Sequence, residues 1–237
     1  MKRKGKEKIV KCVIYCQKMI VRLYKSRFAF EKQEEMFVMS MHMIKGLFFD
    51  FDGVITMEKE GSPTIISYIS KETNIPYETI ENAYYRYNDE LLYGNITHRD
   101  MWREFCADVN QTIDFNILGK AFMNVTIDEK ILEYIREKRN EYLIGMITDN
   151  KADRIKTIVN NTALKGLFDV IIISSDVHSR KSERMIFEEA LNQSGLKAEE
   201  CVFIDNSVSN LDKPSEMGFT TIYFDDDKRD YSRLYCY

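Results

Sequence analysis

Five short, nearly uninterrupted apolar runs constrain this chain more than any other feature. They are Ile44–Phe51, Tyr142–Thr148, Val170–Ser174, Cys201–Asp205 and Thr220–Phe224. A short run without polar–apolar alternation suits a strand buried on both faces, as in a parallel sheet. Stretches of helical periodicity at 128–139, 151–161, 182–194 and 208–217 separate the runs. Strand–helix alternation of this kind predicts a layered α/β domain with right-handed crossovers. The expected core is Rossmann-like, with three layers around a mainly parallel sheet.

One gap breaks the rhythm. Between the first and second runs, Ser62–Thr73, Tyr77–Tyr93 and Thr97–Val109 read as helices, with a fourth near 115–124. Ser62-Pro63 is a good helix start, and Pro76 separates the first two helices. An all-helical block at 61–125 is therefore expected as a small second domain, inserted into a core made of 41–60 and 126–237. Within this block Tyr84, Tyr85, Arg86 and Tyr87 form a cluster. On a helix only one or two of them can face a site, with Arg86 expected on a solvated face. The single Trp102 reads as core of the block rather than as a ligand platform.

Charge divides the 237 residues unevenly. Residues 1–40 carry 11 Lys/Arg against 4 Asp/Glu, whereas the remaining 197 carry 23 against 34, for a formal net charge of −4. The split marks 1–40 as a basic extension outside the core fold. Its longest uncharged run, Cys12 to Gln17, is too short for a signal peptide or a membrane span. On a helical wheel Lys4, Lys8, Lys11, Lys18, Arg22 and Lys25 share one side, opposite Ile9, Val13, Cys16, Met19, Ile20, Leu23 and Tyr24. Contact of residues 4–25 with an anionic membrane surface would suit that pattern. The favoured reading is plainer: a loosely ordered tail, or a segment outside the natural product, since Met41 and Met43 stand just before the first strand and would serve as starts. No global basic field argues for nucleic acid. The five scattered cysteines suit a reducing, cytoplasmic setting rather than a disulfide framework. The three histidines, His42, His98 and His178, are far apart, so a metal would be a hard, carboxylate-bound one.

The chemistry gathers where the apolar runs end. The first closes on Asp50-Phe51-Asp52-Gly53. Side chains at i and i+2 of an extended chain point the same way, and two adjacent carboxylates call for a proton or a cation between them. The second run closes on Thr148-Asp149-Asn150, a hydroxyl and N–H groups entering a helix, which suits either an anion site or a helix cap. After the third comes Arg180-Lys181, where Lys181 is either the cation for a phosphate or solvated surface. The fourth closes on Asp205-Asn206-Ser207, with Asp205 a candidate oxygen ligand for Mg²⁺ or an Asx turn. Open α/β sheets bind ligands beyond the carboxyl ends of their strands, where all four segments fall.

In this order, Asp-x-Asp, Thr, Lys and Asp resemble the haloacid dehalogenase-like hydrolase superfamily, in particular phosphatase-type members with a helical cap after the first strand. The likeness spans about residues 44–224. It includes Arg180-Lys181 followed by Ile186-Phe187, and Phe203-Ile204-Asp205-Asn206-Ser207 followed by Gly218-Phe219. The first 40 residues match nothing in that pattern.

The resemblance implies that Asp50 is a nucleophile forming an aspartyl-phosphate, and that Asp52 is the acid and base. It implies that Thr148, Asp149 and Lys181 bind phosphate, the second through nearby backbone N–H groups. Metal ligands would be Asp50, Asp205 and the backbone carbonyl of Asp52, with Asn206 standing where a second acid is usual. Asn206 can ligate through its amide oxygen but brings no charge. Asn210 is a further oxygen source nearby. Ser182 replaces the usual proline after the lysine and is expected to start the next helix; His178 is expected on the surface. Dehalogenases of the superfamily lack an acid at the Asp52 position, because a halide leaves without a proton. The implied function is therefore a Mg²⁺-dependent phosphatase acting on a small phosphorylated metabolite, with the helical block gating the site. A phosphomutase of the same superfamily and a catalytically weak regulatory binder are the alternatives.

Overall fold

The computed structural model describes residues 44–237. The basic pattern at 4–25 and the alternative starts Met41 and Met43 lie outside the described residues. Five strands, β1 (Gly46–Phe49), β2 (Leu143–Thr148), β3 (Val170–Ile173), β4 (Cys201–Asp205) and β5 (Thr220–Tyr223), form one sheet in the order β3-β2-β1-β4-β5. Every pairing is parallel. From the central β1 the chain builds outward through β2 and β3, then returns to lay β4 on the other side of β1. That reversal creates a crevice at the carboxyl ends of β1 and β4, the place where such sheets receive ligands.

Both faces of the sheet are covered, as the uninterrupted apolar runs require. Phe48, Ile147, Ile172 and Phe203 face one layer with Ile186 and Phe187 of α8 (Met185–Ser194) and Leu211 of α9 (Ser209–Met217). Leu47, Phe49, Met146 and Ile204 face the other layer. There they meet Ile131 and Ile135 of α5 (Glu129–Lys138) and Ile155 and Ile158 of α6 (Ala152–Asn161). Alternate residues of β1 thus feed two separate apolar layers, the period-2 consequence of strand geometry.

Four helices occupy the gap after β1: α1 (Gly61–Thr73), α2 (Tyr77–Leu92), α3 (His98–Asp108) and α4 (Ile117–Met123). Thr97 begins α3 with a reciprocal cap to Asp100. Trp102 is buried and donates to the Ile113 carbonyl, so it belongs to the interior of the block. The block enters and leaves the core at one point. Thr56 and Ile127 form an antiparallel bridge, and Asp128 N–H donates to the Ile55 carbonyl at 2.9 Å. One apolar cluster runs from Phe49 under the sheet to Ile65, Ile66, Tyr84 and Phe105 of the block. Among the described residues no helix is long and apolar enough to cross a membrane.

Several boundaries differ from the sequence expectations for local reasons. β1 stops at Phe49 rather than Phe51, because Phe51–Ile55 winds into a single wide turn closed by Thr56 N–H on the Phe51 carbonyl at 3.0 Å. Gly53 makes the turn possible: its φ is +81°, and a Cβ there would stand 2.2 Å from the Asn206 amide nitrogen. Ser62 does not cap α1; its hydroxyl bonds Asn88 and Lys151 instead. Ser182 does not start α8, which begins three residues later at Met185. A short helix, α7 (Ser174–Val177), directly follows β3.

Candidate active site

The turn after β1 carries the first two acids. Asp50 N–H donates to the Ile204 carbonyl at 2.8 Å, so the residue still belongs to the β1–β4 register. That pairing sets Asp50 beside Asp205, the last residue of β4. Both are buried, at 7% and 0% exposure. Lys181 reaches between them from the segment before α8, with its ammonium 2.5 Å from Asp50 Oδ1 and 2.7 Å from Asp205 Oδ2. The Asp149 carboxylate draws that segment in: it accepts from Lys181 N–H at 2.9 Å and from Arg180 Nε at 3.3 Å. A carboxylate so engaged offers an anion nothing, so only the Asp149 backbone N–H suits phosphate. Asp205 is itself held by Ser207 N–H at 2.7 Å and by the Asn210 amide at 3.1 Å.

Electrostatics make this triad uneven. Burial raises the Asp50 pKa well above the carboxylate range; Lys181 opposes the shift, while Asp205 and Asp52 add to it. Burial also works against charge on Lys181, but Asp205 and Asp50 outweigh it and hold its pKa above the ordinary lysine value. One ammonium therefore serves two buried acids, and it does not fully neutralise Asp50.

Asp52 is turned to a different partner. Its Oδ1 and Oδ2 each accept from the Arg154 guanidinium at 2.7 Å, a two-pronged pair, and Oδ2 also accepts from the Asn150 amide at 2.7 Å. Arg154 is fully buried on α6, its guanidinium 5.4 Å from the Phe51 ring centre. Gly61 covers it from the helical block, where a Cβ would come within 2.4 Å of Nη1. Sequence reasoning missed Arg154. The available signal was a charged residue four positions before Ile158, on the apolar side of an amphipathic helix.

A cavity of about 530 Å³ opens over these groups. Asp50, Asp52, Thr148, Asp149, Lys181 and Asn206 line it, so the structure brings the expected strand-end residues into one wall. Asp205 is fully buried behind that wall and reaches it through Lys181. The Asn206 amide donates to Asp226 at 3.2 Å. From the tyrosine cluster only Tyr85 lines the cavity. Tyr84 is buried against His98 at 2.8 Å, and Arg86 pairs with Asp108 at 2.6 Å. His178 is exposed and bonds the Tyr93 carbonyl, away from this cavity. A second residue missed from sequence is Arg229. It clamps the turn after β1 through the Gly53 and Val54 carbonyls at 2.7 and 3.0 Å, and it pairs with Asp128.

A family model for haloacid dehalogenase-like hydrolases matches residues 47–229. The chain belongs to this family. Among solved structures, a magnesium complex of a haloacid dehalogenase family enzyme from Bacteroides thetaiotaomicron shares 20% identity. That match covers 81% of this chain and 98% of the other, with a TM-score of 0.68. A haloacid dehalogenase family phosphatase from Thermococcus onnurineus shares 20% identity over 77% of this chain and 86% of its own, with a TM-score of 0.55. An L-2-haloacid dehalogenase from Xanthobacter autotrophicus shares 14% over 76% and 77%, with a TM-score of 0.56. At these identities the likeness establishes the hydrolase fold, and both phosphatases and dehalogenases share it. A search of curated proteins found no significant match.

Proposed function

We propose that this haloacid dehalogenase-like hydrolase is a Mg²⁺-dependent phosphatase cleaving a small phosphomonoester through an aspartyl-phosphate. The observation that carries the reading is Lys181 set between Asp50 and Asp205 at the sheet crevice, with Asp52 on the same cavity. An anionic nucleophile approaching a phosphate dianion needs fixed positive charge, and Lys181 supplies it. An Asp50 oxygen bonds to phosphorus as the bond to the leaving alcohol oxygen breaks, and Asp52 gives that oxygen its proton. Asp52 then takes a proton from water; the water oxygen attacks phosphorus, restoring Asp50 and freeing phosphate. Both Asp52 oxygens accept hydrogen bonds from Arg154 or Asn150, so this proton traffic exchanges one of those bonds. Thr148 and the Asp149 N–H hold the non-reacting phosphoryl oxygens. The acid at Asp52 favours an ester over a halide, since a halide leaves unprotonated.

The donor set fits a hard cation. Asp50 and Asp205 are buried carboxylates sharing one ammonium, and the raised pKa of Asp50 marks a site short of positive charge. Asp50 and Asp205, with the neutral oxygens of the Asp52 carbonyl and Asn206, would hold Mg²⁺. Bound there, Mg²⁺ adds charge stabilisation for the phosphoryl oxygens. The magnesium complex of the Bacteroides protein supports this choice of ion. Glu60, Ser62, Tyr85 and Asn88 of the segment from 60 to 88 complete the cavity wall, which suits a cap that excludes water during turnover.

Phosphate release from a panel of small esters, with Mg²⁺ and with chelator, tests the reading. Wild-type activity should need Mg²⁺, and Asp50→Asn should lower it by about a thousandfold or more. Undiminished turnover in Asp50→Asn would remove the mechanism. Isomerised ester in place of free phosphate would assign a mutase.

A further inference from the structure

Four cations line the cavity: Lys59, Lys151, Arg180 and Lys181. Three of them have carboxylate partners. Lys181 serves Asp50 and Asp205, Arg180 lies near Asp149 and Asp89, and Lys59 pairs with Asp227 and Asp226. Among the described residues Lys151 alone of the four forms no ion pair. It is only 4% exposed. Its ammonium donates to the Ser62 hydroxyl at 2.6 Å and to the Asn88 side-chain oxygen at 2.8 Å, both neutral, and lies 5.6 Å from the Tyr84 ring centre. An ammonium withdrawn from water without a counter-ion is costly, and a third acceptor of negative charge would relieve it. The protein supplies that partner to every other cation of this wall.

Lys151 and Lys181 take their partners from different parts of the chain. Lys181 and Thr148 already attend the Asp50 side of the cavity. Lys151 stands just before α6, and both its partners come from the helical block, Ser62 from α1 and Asn88 from α2. Glu60 lines the same cavity, and among the described residues it forms no ion pair with Lys151.

We propose that Lys151, with Ser62 and Asn88, forms a subsite for a second negatively charged group, so that the preferred substrates are phosphomonoesters bearing a further carboxylate or phosphate. The proposal rests on the phosphatase reading of Asp50. The cavity of about 530 Å³ lies in the range for a small ligand of this kind.

The test compares two esters of similar size, 3-phosphoglycerate with its carboxylate and glycerol 1-phosphate with a neutral hydroxymethyl group. They are given to the full-length protein, to Lys151→Gln and to Asn88→Asp, which places a carboxylate beside Lys151 and supplies its counter-ion from within. Wild type should favour the charged ester in kcat/KM by about tenfold or more. Each variant should bring that ratio close to unity, chiefly through KM for the charged ester. Thermal unfolding of the same samples identifies a variant that fails to fold, and the other variant then decides. A wild type indifferent to the carboxylate, or folded variants that keep the preference, would overturn the subsite. Failure of wild type to hydrolyse either ester with Mg²⁺ would instead count against the phosphatase reading. Calorimetric binding of the two esters to the same proteins then decides the subsite: discrimination lost in the variants supports it, and equal binding by wild type overturns it.

Discussion

Lys181 and Lys151 face one cavity from its two sides, and the protein treats them in opposite ways. Lys181 rises from the sheet side, between two buried carboxylates. Lys151 looks to the helical block, where a hydroxyl, an amide oxygen and an aromatic face receive it. Burial lowers the Lys151 pKa to about 7; Arg154 adds to the effect, and Asp52 and Asp153 oppose it. For Lys181 the same burial is overcome by carboxylates. Two lysines of similar exposure thus differ because one has its counter-charge built in. On the proposed reading, the built-in pair would serve the chemistry common to any phosphate ester, whereas the open lysine would take its partner from the substrate.

The sharpest way to break this comparison is to remove each charge in turn. Lys181→Met leaves Asp50 and Asp205 buried without a cation, a change that costs about 3–5 kcal/mol of stability near neutral pH. It should also lower kcat by about a hundredfold or more, since fixed charge at the reacting group is lost. Lys151→Met removes a buried charge that has no counter-ion, so its unfolding free energy should stay within about 1 kcal/mol of wild type, or rise. Urea unfolding of the two variants side by side measures the difference. Equal destabilisation would mean that Lys151 is a structural tether between core and block, like Lys181 in kind.

Arg154 offers the next largest effect. Its loss in Arg154→Ala strips the fork from Asp52 and empties the space under Gly61, so about 3–5 kcal/mol of destabilisation is expected. The readout that separates positioning from mere packing is the pH–rate profile. Arg154→Lys keeps a charge without the fork, and a shift of the profile in that folded variant would tie Arg154 to Asp52.

These residues also mark how far the sequence was legible. The parallel sheet followed from runs too apolar for a half-exposed strand, and β4 spans the expected Cys201–Asp205. The gathering of Asp50, Thr148 and Asp205 was legible because parallel strands aim their carboxyl ends at one crevice, and Lys181 joins them from the segment that follows β3. Lys151, Arg154 and Arg229 were not, because each owes its meaning to partners far along the chain. Arg154 meets Asp52 across |i−j| = 102, and Lys151 meets Ser62 across 89. Read locally, a lysine or arginine at a helix start is a solvated charge. The wide turn after Asp50 escaped for a related reason: its geometry depends on Gly53 fitting against Asn206 and on Arg229 reaching back from the C-terminal segment.

The Asp50 side predicts a pH-dependent response to metal. With its folded pKa raised above the unfolded value, protonated Asp50 contributes stability that is fully present at low pH and lost as pH rises through the raised value. Mg²⁺ held by Asp50, as proposed, would replace that proton, so it should raise the unfolding temperature more at pH 8 than at pH 6. Thermal scans at both pH values, with Mg²⁺ and with chelator, measure it. A smaller gain at pH 8 would contradict the assignment of Asp50 to the metal.

The Lys151 side predicts the opposite slope. Its folded pKa of about 7 lies below the unfolded value of 10.5, so between those limits the unfolded chain binds more protons. Stability from this one group therefore rises with pH across the window, by at most about 1.4 kcal/mol per pH unit. Other groups titrate there too, and the difference between wild type and Lys151→Met isolates the lysine. Urea unfolding at pH 7 and pH 9 should show wild type gaining on the variant. A variant that keeps pace with wild type would mean that Lys151 already has a counter-charge in the folded chain, and that the two lysines of the cavity are alike after all.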